Sequence, residues 1–182
     1  MTVAPAPPPV AEREAVAGEP ADEPPSPALS APGSCALDAR LRAEGASPDG
    51  SEFVLVLTNT GSTPLHLVTP GDGSESGWRT PVLTWTATAD GKPASTAPLA
   101  RCGLMNRIKK DEIFTLAPGA SREIREWLPR LSLPAGRYTV RLTYRNDPTI
   151  EIDNDTDEEV KRLLASTTSC QATTNAVEVT VP

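Results

Sequence analysis

Three cysteines are the residues of this sequence with the most evident chemistry. Cys35, Cys102 and Cys170 form no Cys-x-x-Cys pair, and three are too few for a disulfide-rich scaffold. In an exported protein we expect Cys102 and Cys170 to form a disulfide, because polar residues flank both, and Cys35 to stay unpaired. Closing such a loop would stabilise the fold by roughly 3 to 5 kcal/mol in the chain-entropy model. The alternative is three reduced, partly buried thiols in a cytosolic protein.

The single histidine limits the enzyme chemistry open to this chain. His66 falls on the outward face of a short predicted strand, and the sequence has no Gly-x-Ser-x-Gly motif of the kind that carries a serine nucleophile. Histidine and cysteine are also too few, at unsuitable spacing, to build a zinc site. We therefore predict no catalytic residues, no cofactor and no enzyme activity.

An acidic segment places three carboxylates at alternate positions, as calcium loops do: Asp153, Asp155 and Asp157. The match to an EF-hand loop then fails. Glu158 occupies the sixth position, where the loop requires Gly, and Leu164 occupies the twelfth, where it requires Glu. The preferred interpretation is a solvated acidic turn that leads into a helix, and a calcium site is the minority alternative.

The long loop from residue 69 to residue 80 is the candidate binding surface. Loops held by a rigid scaffold concentrate binding residues, and Trp and Arg are favoured anchors at interfaces. The candidate binding residues are Asp72, Ser74, Trp78 and Arg79. The alternative, which is preferred because Trp is usually buried and this chain has few aromatic residues, is that Trp78 covers one end of the core and Arg79 forms an ion pair within the loop.

Alternating apolar residues predict that strands position these groups. The clearest pattern runs from Arg137 to Arg145, with one face formed by Tyr138, Val140, Leu142 and Tyr144. Other strands are predicted at 37–43, 53–58, 64–68, 82–87, 112–116, 121–127 and 175–181. The first of these is expected at an edge and the second at the centre of a sheet. A short helix is predicted at 157–166, capped by Asp155 or Thr156.

Turn chemistry predicts how these strands connect. Segments 59–62 and 117–120 are each expected to close a hairpin, the second through Pro and Gly at the central positions of a type II turn. Asp90-Gly91 predicts another tight turn. Trp127 is expected in or beside the core. The outward residues Arg137, Arg141 and Arg145 are expected to form cross-strand pairs with Glu123 and Glu126.

The composition divides the chain into a tail, residues 1–34, and a domain, residues 35–182. The tail holds nine of the 20 prolines and a charge of −4, and it has no apolar periodicity, so it is predicted to be a disordered Pro/Ala-rich spacer. The net charge of −7 argues against nonspecific binding to nucleic acid. The sequence contains no run of 18 apolar residues, so it predicts no membrane span.

The compartment stays open at this point. The N-terminus lacks the charged and apolar regions of a signal peptide, so either the protein is cytoplasmic or the sequence begins after a removed leader. The disulfide prediction favours an extracytoplasmic location. We predict a monomer.

Several motifs resemble known β-sandwich domains. Tyr138 follows Gly136 by two residues, which resembles the tyrosine corner of immunoglobulin-like (Ig-like) domains, where the phenol bonds to upstream backbone. The segment from Gly71 onward resembles a group of uncharacterised bacterial Ig-like domain proteins. That resemblance lies in Asp72-Gly73-Ser74, 77–81, Arg101-Cys102-Gly103, 116–119, 144–148 and 175–181.

A looser similarity connects the chain to the bacterial intracellular proteinase inhibitor family. It rests on Thr-Asn-x-Gly at 58–61, Leu-x-Pro-Gly at 116–119 and Gly-x-Tyr at 136–138. The first resemblance implies an Ig-like fold and no catalysis. The predicted fold is thus an all-β, Ig-like Greek-key β-sandwich of about eight strands, with one short helix in an insertion before the last strand.

The predicted function follows from that fold and from the lack of catalytic groups. The leading hypothesis is a non-enzymatic Ig-like binding or structural module on a flexible tether, placed outside the cytoplasm, that binds a protein or polymer partner. The alternative is a proteinase inhibitor or a cytosolic protein-binding module.

Overall fold

The computed structural model describes residues 35–44, 53–71, 82–96, 108–126, 128–129, 131–149 and 157–182. All of them belong to one compact unit, residues 31–182. The elements run in the order β1 (Leu37–Ala43), β2 (Phe53–Asn59), β3 (Leu65–Val68), β4 (Leu83–Ala89), β5 (Lys92–Ala94), a 3₁₀ turn (Lys110–Glu112), β6 (Ile113–Leu116), β7 (Ser121–Ile124), β8 (Gly136–Asn146), α1 (Glu158–Ala165), β9 (Cys170–Thr173) and β10 (Val177–Val181).

The strands form an all-β sandwich of antiparallel sheets. One sheet has the order β1-β2-β7, so the predictions of an edge position for β1 and a central one for β2 are confirmed. The second sheet has the order β10-β8-β4-β5, and β9 also pairs with β8. The third is the pair β3-β6. The tight turn predicted at Asp90-Gly91 joins β4 to β5, with φ of 50° and 74° at its two residues.

The core lies between the two larger sheets. The predicted alternation along β8 is confirmed, because all four of its apolar residues are buried: Tyr138, Val140, Leu142 and Tyr144. On β2 the inward residues Leu55 and Leu57 are fully buried. Trp85 packs at the rim of this core, where its ring centroid lies 5.2 Å from that of Phe53.

Two of the predicted hairpins are wrong. The turn at 59–62 leads from β2 to β3, yet β2 pairs with β1 and β7, whereas β3 pairs with β6. The turn at 117–120 leads from β6 to β7, which also lie in different sheets. Its local geometry is nevertheless that of the predicted type II turn, since Gly119 has φ of 72° and the N–H of Ala120 donates to the carbonyl of Ala117 at 3.0 Å.

The buried side chain of Asn59 explains why both turns become crossovers. Its Nδ2 donates to the carbonyl of Leu116 at 2.8 Å, and its backbone exchanges hydrogen bonds with Ala120 (3.0 Å) and Gly119 (2.9 Å). The end of β2 is therefore bonded to the 117–120 turn, which leaves β3 and β6 to pair with each other. Local turn chemistry could not reveal this long-range contact.

The C-terminal part contains two predicted elements that form and one that was missed. The predicted helix forms as α1, and its buried residues Val160 and Leu164 pack with Val68 and Ile108 in a small second core. β9 was not predicted, because its four residues were assigned to the insertion before the last strand. That last strand forms as β10. In the described residues, no helix is long and apolar enough to cross a membrane.

Candidate functional site

The predicted binding loop cannot be placed on this fold. Its four candidate residues lie outside the described residues: Asp72, Ser74, Trp78 and Arg79. Trp127 also lies outside them. The structure therefore neither brings these residues together nor separates them, and the loop stays a prediction.

The acidic segment is described only at its last carboxylate. Asp153 and Asp155 lie outside the described part of the chain. Asp157 is the N-cap of α1, and its Oδ1 accepts the N–H of Glu159 at 2.7 Å. The cap is thus Asp157 rather than Asp155 or Thr156. Among the described residues, no group of three His, Cys, Asp or Glu side chains is placed to hold a metal ion.

The cysteine pairing differs from the prediction. Cys170 forms a disulfide with Cys35, not with Cys102, and the two joined Cα atoms are 5.3 Å apart. Cys102 lies outside the described residues. The prediction failed because polar flanks suggested a loop, whereas Cys170 opens β9 and is fully buried.

Beside this disulfide, the strand run β9–β10 contains a β-bulge. Thr173 pairs with Thr143, but Val177 pairs with Val140, so three residues of the run face two residues of β8. The sequence carried a signal for this bulge, since the inward positions change from even numbers in β9 to odd numbers in β10. Buried Thr174 keeps the ladder intact by accepting the N–H of Leu142 at its Oγ1, at 3.0 Å.

The bulge presents Asn175 to the edge strand β1. Its Oδ1 accepts the N–H of Leu41 at 2.8 Å, and its Nδ2 donates to the carbonyl of the same residue at 3.1 Å. One side-chain amide thereby replaces a neighbouring strand and covers the open edge of β1. We call the disulfide Cys35–Cys170 and the pair Asn175–Leu41 together the seam, because they join the first sheet to the second.

The phenol of Tyr144 makes a second long-range connection. It donates to the carbonyl of Val68 at 2.7 Å, and burial raises the pKa of Tyr144 above its usual range. The sequence assigned such a bond to Tyr138, which instead packs against Gly136, where a Cβ atom would lie 3.2 Å from the phenol oxygen. The bond from a tyrosine to upstream backbone therefore belongs to Tyr144, six residues further along β8.

Asn146 joins the end of β8 to the segment after α1. This buried side chain accepts the N–H of Val68 at 3.1 Å and donates to Thr167 Oγ1 (3.0 Å) and to the carbonyl of Thr168 (2.8 Å). All of its side-chain hydrogen-bonding groups have partners, as a buried amide requires. The same residue anchors β3, β8 and the entry to β9.

An ion cluster occupies the other end of β1. Its four members are Arg42, Glu44, Glu123 and Arg125. Arg42 contacts both carboxylates, at 2.7 Å and 3.0 Å, and Arg125 does the same, at 2.8 Å from Glu123. Hydrogen bonds from Arg125 and then Arg42 lower the pKa of Glu44 to about 2. The predicted pairing of Glu123 with the arginines of β8 is thus wrong, since β7 and β8 lie in different sheets.

Two valines of β2 lie next to this cluster in the register of the sheet. Val54 points away from the core but is only 2% exposed. Arg42 is its cross-strand neighbour on β1, and Glu123 is the neighbour of Val56 on β7. The aliphatic part of the arginine can shield the valine while the guanidinium stays in water.

Among the described residues, His66 forms its side-chain contact and one backbone hydrogen bond with threonine hydroxyl groups. It is exposed on β3, as predicted, and its Nδ1 lies 3.0 Å from Thr115 Oγ1. Its backbone N–H donates to Thr168 Oγ1 at 3.0 Å. These contacts place His66 in a strand-to-strand polar network.

No family model matches this chain, and no curated protein matches it. The fold is an all-β sandwich in which a disulfide joins the segment before β1 to β9.

Proposed function

We propose that this protein is a non-enzymatic, Ig-like binding or structural module, carried on a flexible N-terminal tether, that works outside the cytoplasm and binds a protein or polymer partner. The observation that carries the proposal is the disulfide between Cys35 and Cys170. Disulfides form and persist in oxidising compartments and are rare in the cytosol.

The strand order supports the Ig-like part of the proposal. β1, β2 and β7 pair in one sheet, and β4, β8 and β10 pair in another. This is the distribution of strands A, B and E against strands C, F and G in constant-type immunoglobulin domains. Such domains present binding loops at the ends of the sandwich, and the segment with Trp78 and Arg79 lies between β3 and β4 in the sequence.

The described polar residues support a non-enzymatic role. The exposed His66 lies 3.0 Å from a threonine hydroxyl, and the buried side chains of Asn59, Asn146 and Thr174 bond to backbone groups. Those bonds hold the sandwich together, which is the property a binding or structural module requires.

The test is the thiol state of the protein taken from its native host. We expect alkylation before reduction to modify one cysteine, Cys102, and alkylation after reduction to modify all three, as read by intact mass and peptide mapping. Three thiols that react before reduction would contradict the extracytoplasmic proposal and favour the cytosolic inhibitor or adaptor. A photocrosslinker at position 78, with exposed Arg40 as the control position, then tests the binding loop.

A further inference from the structure

We propose that the seam is a tension bypass: a pulling force between the N-terminal segment and the C-terminal strand passes through the Cys35–Cys170 bond into β9 and β10 and does not extend the chain between the two cysteines. This inference rests on the proposed function, because the tether is the place where force would enter. It adds a mechanical role to that tether.

Force from the N-terminal segment reaches the fold at Cys35, two residues before β1. Without the disulfide, the load would fall on β1, an edge strand that pairs only with β2 within its sheet. The disulfide removes β1 from the path, since Cys35 is bonded directly to Cys170, which lies 135 residues later in the sequence.

The path after Cys170 is already extended. β9 and β10 run in the same direction along β8, from the pair Cys170–Asn146 to the pair Val181–Gly136. A strand rises about 3.2 to 3.4 Å per residue, and a fully extended chain reaches only about 3.3 to 3.6 Å. Tension along this run therefore gains almost no length, even if the strand leaves the sheet.

Asn175 is the non-covalent part of the same device. Its two hydrogen bonds to Leu41 keep the edge of β1 attached to the β9–β10 run. With the disulfide intact these bonds carry no load. After reduction they are the part of the seam that still resists removal of β1.

The experiment is single-molecule force extension of the full chain, with handles joined to the two ends by peptide ligation so that no thiol is used. We expect the oxidised protein to show no unfolding step longer than about 10 Å, because β9–β10 is already extended. After reduction, the 135 residue steps between Cys35 and Cys170 should appear as a gain of about 470 Å. Cys102→Ser should behave as the natural protein does.

Two outcomes would overturn the bypass. A step of about 470 Å in the oxidised protein would mean that Cys35 and Cys170 are not bonded to each other. A step of about 230 Å, the chain length between Cys35 and Cys102, would mean that Cys102 is the partner of Cys170. Cys35→Ser, which cannot form the bond, should show the same gain as the reduced protein, and reduction of the natural protein serves alone if that variant does not fold.

Asn175→Ala tests the non-covalent part. In the reduced protein we expect it to lower the unfolding force relative to Gln171→Ala, an exposed amide on the same strand run. Equal unfolding forces for the two variants would mean that Asn175 does not help to hold β1 in place. The bypass and the proposed function fail separately: free thiols in the host refute the extracytoplasmic function, whereas only the extension of oxidised protein refutes the bypass.

Discussion

The two ends of β1 are held by different kinds of bond. Before its first residue, the chain is joined covalently to fully buried Cys170, and at its middle Leu41 is bonded to the amide of Asn175. Beyond its last residue, Glu44 belongs to the ion cluster, whose side chains are 36% to 53% exposed. Residues at and beside this strand thus belong both to the partly buried seam and to an exposed charge network.

The physics of the two ends predicts unequal contributions to stability. A disulfide that closes a long loop stabilises the fold by restricting the unfolded chain. A partly buried hydrogen bond also contributes, because water competes little for its donor and acceptor. Exposed ion pairs contribute little, because solvent and salt screen them and two long side chains must be held in place. The short distances within the ion cluster therefore do not mean that it contributes as much to stability as the seam does.

The largest expected effect is that of Cys35→Ser. In the chain-entropy model a loop of this length contributes about 5 kcal/mol to the free energy of unfolding, which the variant should lose. Denaturant unfolding measures the loss, and reduction of the natural protein should reproduce it. Cys102→Ser is the control and should leave stability unchanged. If Cys102→Ser were instead the costly variant, the disulfide assignment would be wrong.

An intermediate effect is expected for Asn175→Ala. The variant loses two bonds to Leu41 and leaves a backbone N–H and a carbonyl without those partners. We expect a loss of about 1 to 2 kcal/mol in the free energy of unfolding, measured in urea at neutral pH. Gln171→Ala, a substitution of an exposed amide on β9, should cost much less. Equal losses would show that the amide does not replace a strand at the edge of β1.

Much of the fold follows from sequence pattern, but the seam does not. Alternation located β1, β2, β8 and β10, because the core selects every second side chain. It missed β9, whose four residues contain only Cys170 and Ala172 as inward apolar groups. The change of parity between β9 and β10 was present in the sequence, and it indicates a bulge once both strands are known.

Which strands pair was predictable only where the connection was local. The two-residue turn Asp90-Gly91 sets its own hairpin, since both backbones adopt positive φ. The turns at 59–62 and 117–120 do not, because Asn59 bonds to residues about 60 positions away, Leu116 and Ala120. The disulfide is also a long-range contact. The polar residues beside a cysteine in the sequence do not show which residues lie beside it in the folded protein.

The smallest expected effect is that of Glu44→Gln, and it should depend on pH. The pKa of Glu44 falls from 4.5 to about 2 in the folded protein, so its ion pairs stabilise the fold above about pH 4.5 and lose that effect as the pH falls towards 2. The variant should therefore be slightly less stable than the natural protein at pH 7 and equal to it near pH 2.

Urea unfolding across this pH range, at low and high salt, measures that difference. Because the cluster is exposed, we expect the loss at pH 7 to be smaller than that of Asn175→Ala and to decrease further in high salt. Gln171→Ala again serves as the control, since it carries no charge that could change between pH 7 and pH 2. A loss at pH 7 that equals or exceeds that of Asn175→Ala, and that salt does not reduce, would mean that the two ends of β1 are equally strong. The contrast between a partly buried seam and a screened surface network would then have to be abandoned.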